Sequence, residues 1–263
     1  MKTIKGFLIN IQFFTSIPVP MQIPMDKVHL KRAVITFPIL GLLQGLFYSL
    51  VLYGFLEWTP FSQLASAFAL WLAMIILTGG IHLDGWMDAS DAFFSYQDRE
   101  KRLEIMKDPR TGAFGVLSVI VLLAARFLFI YEIVLQQQPE AYWLIALIPF
   151  LGKQIMGVLL MQVRPAKPEG LGAMFQKAAS ARDLAFYPAA VLLVFVLYAM
   201  ADISLAVHAA ILLLAAAGFL MFAAVKSVKW FGGITGDVLG ASAEGAECFL
   251  WMVLWLLHYF AMS

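Results

Sequence analysis

A chain of 263 residues, 62% of them hydrophobic and only 13% charged, holds more apolar material than a water-soluble core and surface of that size can carry. Its mean hydropathy of +0.85 points to several membrane crossings and excludes a nucleic-acid-binding module, a disordered tail and a secreted disulfide scaffold. With 18 Lys and Arg against 17 Asp and Glu the net charge is only +1, so the placement of charge rather than its sum is informative, and the single cysteine, Cys248, permits no intramolecular disulfide.

Lys2 and Lys5 precede an apolar stretch, as in a signal peptide. Asn10 and Gln12 interrupt that stretch and no A-x-A site follows, so cleavage is not expected. Residues Gly6–Pro20 are apolar enough to lie among headgroups but too short and polar to span, and Pro18, Pro20 and Pro24 stop any helix. Residues 1–32 are therefore expected to form an interfacial segment.

Seven apolar runs follow: Ala33–Tyr53, Phe61–Ile81, Ala113–Leu135, Tyr142–Val163, Leu184–Met200, Ile203–Val225 and Val238–Tyr259. They predict an all-α, polytopic helical bundle of about seven transmembrane helices, forming one membrane-embedded domain over 1–263. Only Ala201 and Asp202 separate the fifth and sixth runs, which could form one hairpin; the last run contains Glu244 and Glu247.

Basic residues test this layout. All but two of the 18 Lys and Arg fall before the first run or in the connections 82–112, 164–183 and 226–240. The alternate connections, Gly54–Pro60, Gln136–Ala141 and Ala201–Asp202, contain none. The positive-inside rule then places the N-terminus and the three long loops in the cytoplasm and the C-terminus outside. The exceptions, Arg126 and Lys153, lie inside runs. Each needs a partner there: a carboxylate that stabilises it, or an anionic substrate.

Long loops in a compact protein commonly carry function. The first contains Gly79-Gly-Ile-His-Leu-Asp84-Gly-Trp-Met-Asp88-Ala-Ser-Asp91. If the second span continues as a helix, Asp84, Asp88 and Asp91, at i, i+4 and i+7, share one narrow face, and Ser95 and Asp98 extend it. Like charges so placed repel, and near a membrane they are costly to desolvate. A divalent cation relieves both, and Mg²⁺ commonly uses a few carboxylates together with substrate phosphates. The pattern points to an acidic Mg²⁺ site handling a diphosphate; the plainer alternative is a solvated acidic helix end. Gly85 beside the carboxylates leaves room for a ligand. His82 falls off the aspartate face and is expected to be a neighbour rather than a ligand.

The loop continues from Arg99 to Gly115 as an amphipathic surface helix ending at Asp108-Pro109. There Lys107 and Arg110 could hold phosphate, Asp108 adds an acidic group, and Gly112 lets the backbone turn close to a ligand. The third long loop, Phe231–Glu244, has four glycines in a short stretch, the mark of tight turns or of backbone approaching a ligand. Thr235 and Gly236 are candidate substrate contacts there, and Asp237 is a candidate ligand or base. Gly232, Gly236 and Gly240, at i+4 spacing, could instead form a helix-packing surface.

These residues resemble a known signature. Gly79–Asp91, Glu104–Gly115, Phe13–Pro20, Arg164–Phe175 and Gly232–Ala241 occur in the order and form of the cobalamin synthase family, the adenosylcobinamide-GDP ribazoletransferases. Lys153 departs from it, at a position where that family is expected to carry arginine. The resemblance implies that a hydroxyl of α-ribazole, or of its 5′-phosphate, attacks the cobinamide-side phosphorus of adenosylcobinamide-GDP and releases GMP, with Mg²⁺ as the metal. Asp84, Asp88 and Asp91 would hold Mg²⁺, Asp237 or a motif aspartate would take the hydroxyl proton, and Lys107, Arg110 and Lys153 would stabilise the leaving GMP. The enzyme would be a multi-pass protein of the cell membrane, with the bilayer as its partner and no nucleic acid; a homo-oligomer is compatible. A CDP-alcohol phosphotransferase of phospholipid synthesis is the alternative, since it too uses an aspartate cluster at the membrane, although its further aspartates follow an Ala-Arg pair where this chain has Ala89-Ser90-Asp91. A cation transporter is a third reading, opposed by the clustering of the acids on one face.

Overall fold

The apolar runs become helices, and the breaks between them fall where capping groups and glycines stand. A computed structural model describes residues 1–136 and 138–262; Gln137, in the connection after the third run, and Ser263 lie outside the described residues. In chain order the helices are α1 (Lys2–Phe14), α2 (Lys27–Trp58), α3 (Gln63–Thr78), α4 (Ile81–Phe94), α5 (Arg99–Ile105), α6 (Ala113–Gln136), α7 (Glu140–Gln162), α8 (Leu171–Ala178), α9 (Phe186–Ala201), α10 (Ile203–Phe231) and α11 (Gly236–Phe260), with a 3₁₀ turn at Ala181–Ala185. Among the described residues there is no named strand; one parallel bridge joins Pro165 to Ile234. Among the described residues six helices are long and apolar enough to cross a membrane, one of them α9 taken together with the 3₁₀ turn before it (Ala181–Ala201), and α3 with α4 would make a seventh.

The centre of the bundle is α7, in which every residue from Leu144 to Gly157 is buried. Its main partner is α2, started by Asp26, whose carboxylate accepts from the amides of Val28 and His29. Gly41 and Gly45 let the two backbones meet: a Cβ at either would collide with the Pro149 or Ala146 carbonyl. Outward positions carry Leu192, Leu193 and Leu197 on α9, Val121 on α6 and Leu214 on α10, all exposed. Water would penalise such a surface, whereas lipid matches it, so the chain is a multi-pass membrane protein.

The fifth and sixth runs are separate helices, and the Asp202 carboxylate caps the second of them through the Ser204 amide at 2.6 Å. The segment read as interfacial also packs on protein. Asn10 of α1 is buried and donates to the Ala33 carbonyl at 2.8 Å and to Thr36 Oγ1 at 2.9 Å. The charges inside the spans find each other. Arg126 of α6 meets Glu244 of α11 at 2.6 Å, and Lys153 of α7 lies 3.6 Å from Glu247 of α11. Thus α11 is tied on two sides by ion pairs within the bundle.

The second run does not continue straight into the acidic motif. Helix α3 stops at Thr78, Gly79 and Gly80 both take positive φ (63° and 74°), and α4 leaves at 86° to α3. Two successive left-handed residues are tolerable only because both are glycine. At about 21 Å, α4 is too short to cross a bilayer by itself.

Candidate active site

Because α4 is a separate helix, its aspartates meet α11 and α6 rather than extending from a span. Asp84, Asp88 and Asp91 do share one face of α4, but that face ends at Phe94. Ser95 and Asp98 do not extend it: Ser95 caps α4, and Asp98 starts α5, accepting from the Lys101 amide at 2.9 Å. Helix α5 also ends at Ile105, before the expected Asp108-Pro109 stop.

Helix α11 begins beside α4. Thr235 caps it, accepting from the Val238 amide at 3.1 Å, and Asp237 follows in the first turn. The close crossing depends on Gly85, where a Cβ would stand 2.7 Å from the Asp237 carbonyl oxygen. Gly240 packs on the His82 backbone in the same way, with a Cβ only 3.3 Å from it. The glycine spacing therefore does not mark one packing stripe. Gly232 ends α10 with φ 82°, Gly236 opens α11 with free space where a side chain would stand, and Gly240 packs on α4.

The carboxylates of Asp84, Asp88 and Asp237 are near enough to repel one another. Partial burial and the neighbouring charges of Asp84, Asp237 and Asp91 push the Asp88 carboxyl up to about 6. Asp84 and Asp88 accept no protein hydrogen bond among the described residues, and Asp237 has only a long contact, 3.5 Å, with Thr235 Oγ1. Such hard oxygen donors suit Mg²⁺. Among the described residues no three His, Cys, Asp or Glu groups stand close enough together to hold a metal ion by themselves. An ion held here would need substrate phosphate and water to complete its shell.

Asp91 has a different occupation. Its two oxygens accept from the amides of Gly112 at 2.7 Å and Gly115 at 2.8 Å, fastening the start of α6 to α4. A carboxylate there satisfies orphan amides and matches the positive end of the helix dipole. The group that comes close to Gly112 is thus the Asp91 carboxylate. Asp91→Ala is expected to destabilise the protein by about 1–2 kcal/mol; a melting temperature unchanged from wild type would contradict this role.

The predicted phosphate-holding cations divide. Arg110 is exposed and forked onto Asp108, with Nε at 2.9 Å and an Nη at 2.6 Å, and that contact holds the Asp108 carboxyl down at about 2. Lys107 is exposed and close enough to Lys167 to repel it. Lys153 is fully buried against Glu247 and does not line the cavity described next, which is the carboxylate-partner alternative for this residue. Sequence reasoning passed over Lys167, which senses both Lys107 and Asp237 and donates to the Leu103 carbonyl at 3.3 Å. It lies in the Arg164–Phe175 loop, whose resemblance to the family was the available signal.

Beside Asp84, Gly236 and Asp237 opens a cavity of about 340 Å³. Its remaining walls come from α1, α7, α8, the next turn of α11 and the start of α4, including His82, which sequence reasoning had set aside. The arginines around the site mostly hold loops. Arg99 and Arg102 donate to the Lys229 and Trp230 carbonyls at the end of α10, and Arg164 donates to the Gly232 carbonyl. These contacts satisfy the carbonyls that a helix C-terminus leaves open.

The family model for cobalamin-5-phosphate synthase matches residues 6–255. A Geobacillus kaustophilus protein named adenosylcobinamide-GDP ribazoletransferase is 43% identical over 261 residues, covering 98% of this chain and 98% of its own. A Geobacillus sp. protein of the same name is 39% identical over 259 residues, covering 98% and 97%. A Clostridium botulinum protein, also of that name, is 30% identical over 259 residues, covering 98% and 100%. No solved structure matches the chain. The near end-to-end match, over the same loops that build the acidic site, shows that the chain belongs to the cobalamin-5-phosphate synthase family.

Proposed function

We propose that this protein joins adenosylcobinamide-GDP to α-ribazole, or to α-ribazole 5′-phosphate, and releases GMP. The observation that carries this reading is the mutual repulsion of Asp84, Asp88 and Asp237, two of which, Asp84 and Asp237, line a cavity, in a chain whose full-length relatives bear the name of that transfer. The family resemblance implies Mg²⁺, and the donor set fits it. Asp84 and Asp88 would hold the ion, which when bound supplies neutralisation of the diphosphate charge.

The chain's own residues supply the rest. Asp237, partly buried at the start of α11, receives the proton of the attacking ribazole hydroxyl. Lys107 and Lys167 face the leaving GMP as point charges. Asp91 and Gly85 keep α4, α6 and α11 in register, so that nucleophile and phosphorus meet in a defined geometry. In the orientation that the basic loops favour, the site faces the cytoplasm of a cell-membrane protein.

A raised Asp88 pKa has a consequence for the metal. Protons and Mg²⁺ compete for the same carboxylate, so apparent Mg²⁺ affinity weakens as pH falls through about 6 and levels off above it. Mg²⁺ titrations of activity between mildly acid and neutral pH measure this; an affinity flat across that range would contradict it. The reaction itself is tested by offering donors separately. GMP from adenosylcobinamide-GDP with a corrinoid product is expected, whereas CMP from a CDP-linked lipid donor would transfer the site to phospholipid synthesis.

A further inference from the structure

A second and larger cavity lies on the other side of α4. At about 790 Å³ it is a groove between α6 and α10, with α11 as its floor and α4 across one end. Trp86, Ala89, Ser90 and Phe93 form that end wall. They stand at i, i+3, i+4 and i+7, half a turn around α4 from Asp84, Asp88 and Asp91. One helix therefore separates the acidic cleft from an apolar groove. Ala241, Ser242 and Gly245 of α11 are small and give the groove its depth. Its mouth is formed by Phe114, Leu117 and Val121 of α6 and Phe222 of α10, all exposed, so in a bilayer it opens to lipid.

The charge at one end of the groove narrows what can fill it. Among the described residues no carboxylate lines it, and its one charged wall residue is Lys226, in the last two turns of α10. The Lys226 ammonium lies 5.1 Å from the centroid of the Trp230 ring and 5.6 Å from that of Phe222. Arg102 of α5 reaches the same end, 5.4 Å from the centroid of the Phe93 ring. Neither cation has an ion-pair partner among the described residues. Aromatic faces attract a cation but do not neutralise it. The occupant that fits is long and apolar, with an anionic group at the α4 end, and an anionic phospholipid has that form. A helix from a second copy would have to bring a carboxylate to the same point, whereas the outward residues Leu192, Leu193, Val196 and Leu197 of α9 are aliphatic.

We propose that this groove holds one anionic phospholipid of the leaflet on the α4 side. An acyl chain lies between α6 and α10 on the floor of α11, and the phosphate meets Lys226 beside Arg102. The chain braces the apolar face of α4 and so steadies the opposite face, on which Asp84 and Asp88 stand. In the orientation that the basic loops favour, this is the cytoplasmic leaflet.

Native mass spectrometry tests the binding, on protein purified in detergent and given equal amounts of phosphatidylglycerol and phosphatidylcholine. The wild-type chain is expected to retain one phosphatidylglycerol in preference to phosphatidylcholine. Lys226→Gln is expected to lower that retention about fivefold, the size of one cation's attraction to an anionic lipid. Lys229→Gln, at an exposed lysine three residues on that does not line the groove, leaves it unchanged. Val121→Trp, which fills the mouth from an exposed position, lowers the retention of both lipids. Equal retention of the two lipids by the wild type, equal losses in Lys226→Gln and Lys229→Gln, or retention unmoved by Val121→Trp overturns the site. So does a lipid-free dimer that Val121→Trp takes apart, which would give the groove to a second copy. The bracing of α4 is read by hydrogen exchange in nanodiscs. Exchange in Ile81–Phe94 is expected to be slower with phosphatidylglycerol than in phosphatidylcholine alone, and the same in both for Lys226→Gln. Exchange in wild-type α4 that ignores the lipid overturns the bracing. Neither readout uses the transfer reaction, so the lipid site and that reaction fail separately.

Discussion

Asp84→Asn is expected to lower turnover roughly 10³-fold while leaving the melting temperature near that of wild type, a loss of the size seen when one pre-organised charge-stabilising group is removed. Asp84 lines the cavity and accepts no hydrogen bond from the protein among the described residues, so the fold does not depend on its charge. The amide keeps the shape of the carboxylate and loses the charge that holds a cation and faces the diphosphate. Asp88→Asn is expected to behave alike, and it also removes a crowded carboxylate whose ionisation the folded protein resists. Near wild-type turnover in either variant would sink the metal assignment. The contrast is with Asp91, where the main loss is of stability, because its oxygens are bonded to the amides that start α6.

The largest effect on stability is expected from Arg126→Met. Arg126 and Glu244 are each 4% exposed, and the guanidinium bonds both the Glu244 carboxylate at 2.6 Å and its carbonyl at 3.1 Å. Removing the cation leaves a buried carboxylate unpaired, at a cost of about 3–5 kcal/mol. Adding Glu244→Gln to that variant removes the orphaned charge and should recover a large part of the loss, since a neutral pair costs less to bury than one charge alone. Thermal unfolding of both variants in one detergent measures this. A double variant no more stable than Arg126→Met alone would show that the pair is not what α11 rests on.

These ion pairs also explain where the sequence was legible and where it was not. The spans could be read because lipid-facing helices are apolar along their length and their connections segregate the basic residues. The three aspartates could be placed on one face because i, i+4 and i+7 spacing survives whatever helix carries them. The direction of that helix could not, since it turns on two glycines taking left-handed backbone, and Gly-Gly alone does not distinguish a hinge from a close approach. Arg126 and Lys153 were visible as charges needing partners, but a partner on another helix is set by tertiary packing. Asp91 and Gly112 looked like ligand-facing residues, and though 21 positions apart they bond each other. His82 was set aside because it sits off the aspartate face, and the cavity wraps around α4 far enough to reach it.

The central claim is that the acidic cleft between α4 and α11 carries a metal-dependent transfer from adenosylcobinamide-GDP to α-ribazole. The most direct measurement is GMP release by the purified protein in nanodiscs, with both substrates present and with either Mg²⁺ or EDTA. The account predicts GMP and a cobalamin product in equal amounts with Mg²⁺, and neither with EDTA. Well-folded protein that releases no GMP, or that releases it equally well in EDTA, would contradict it.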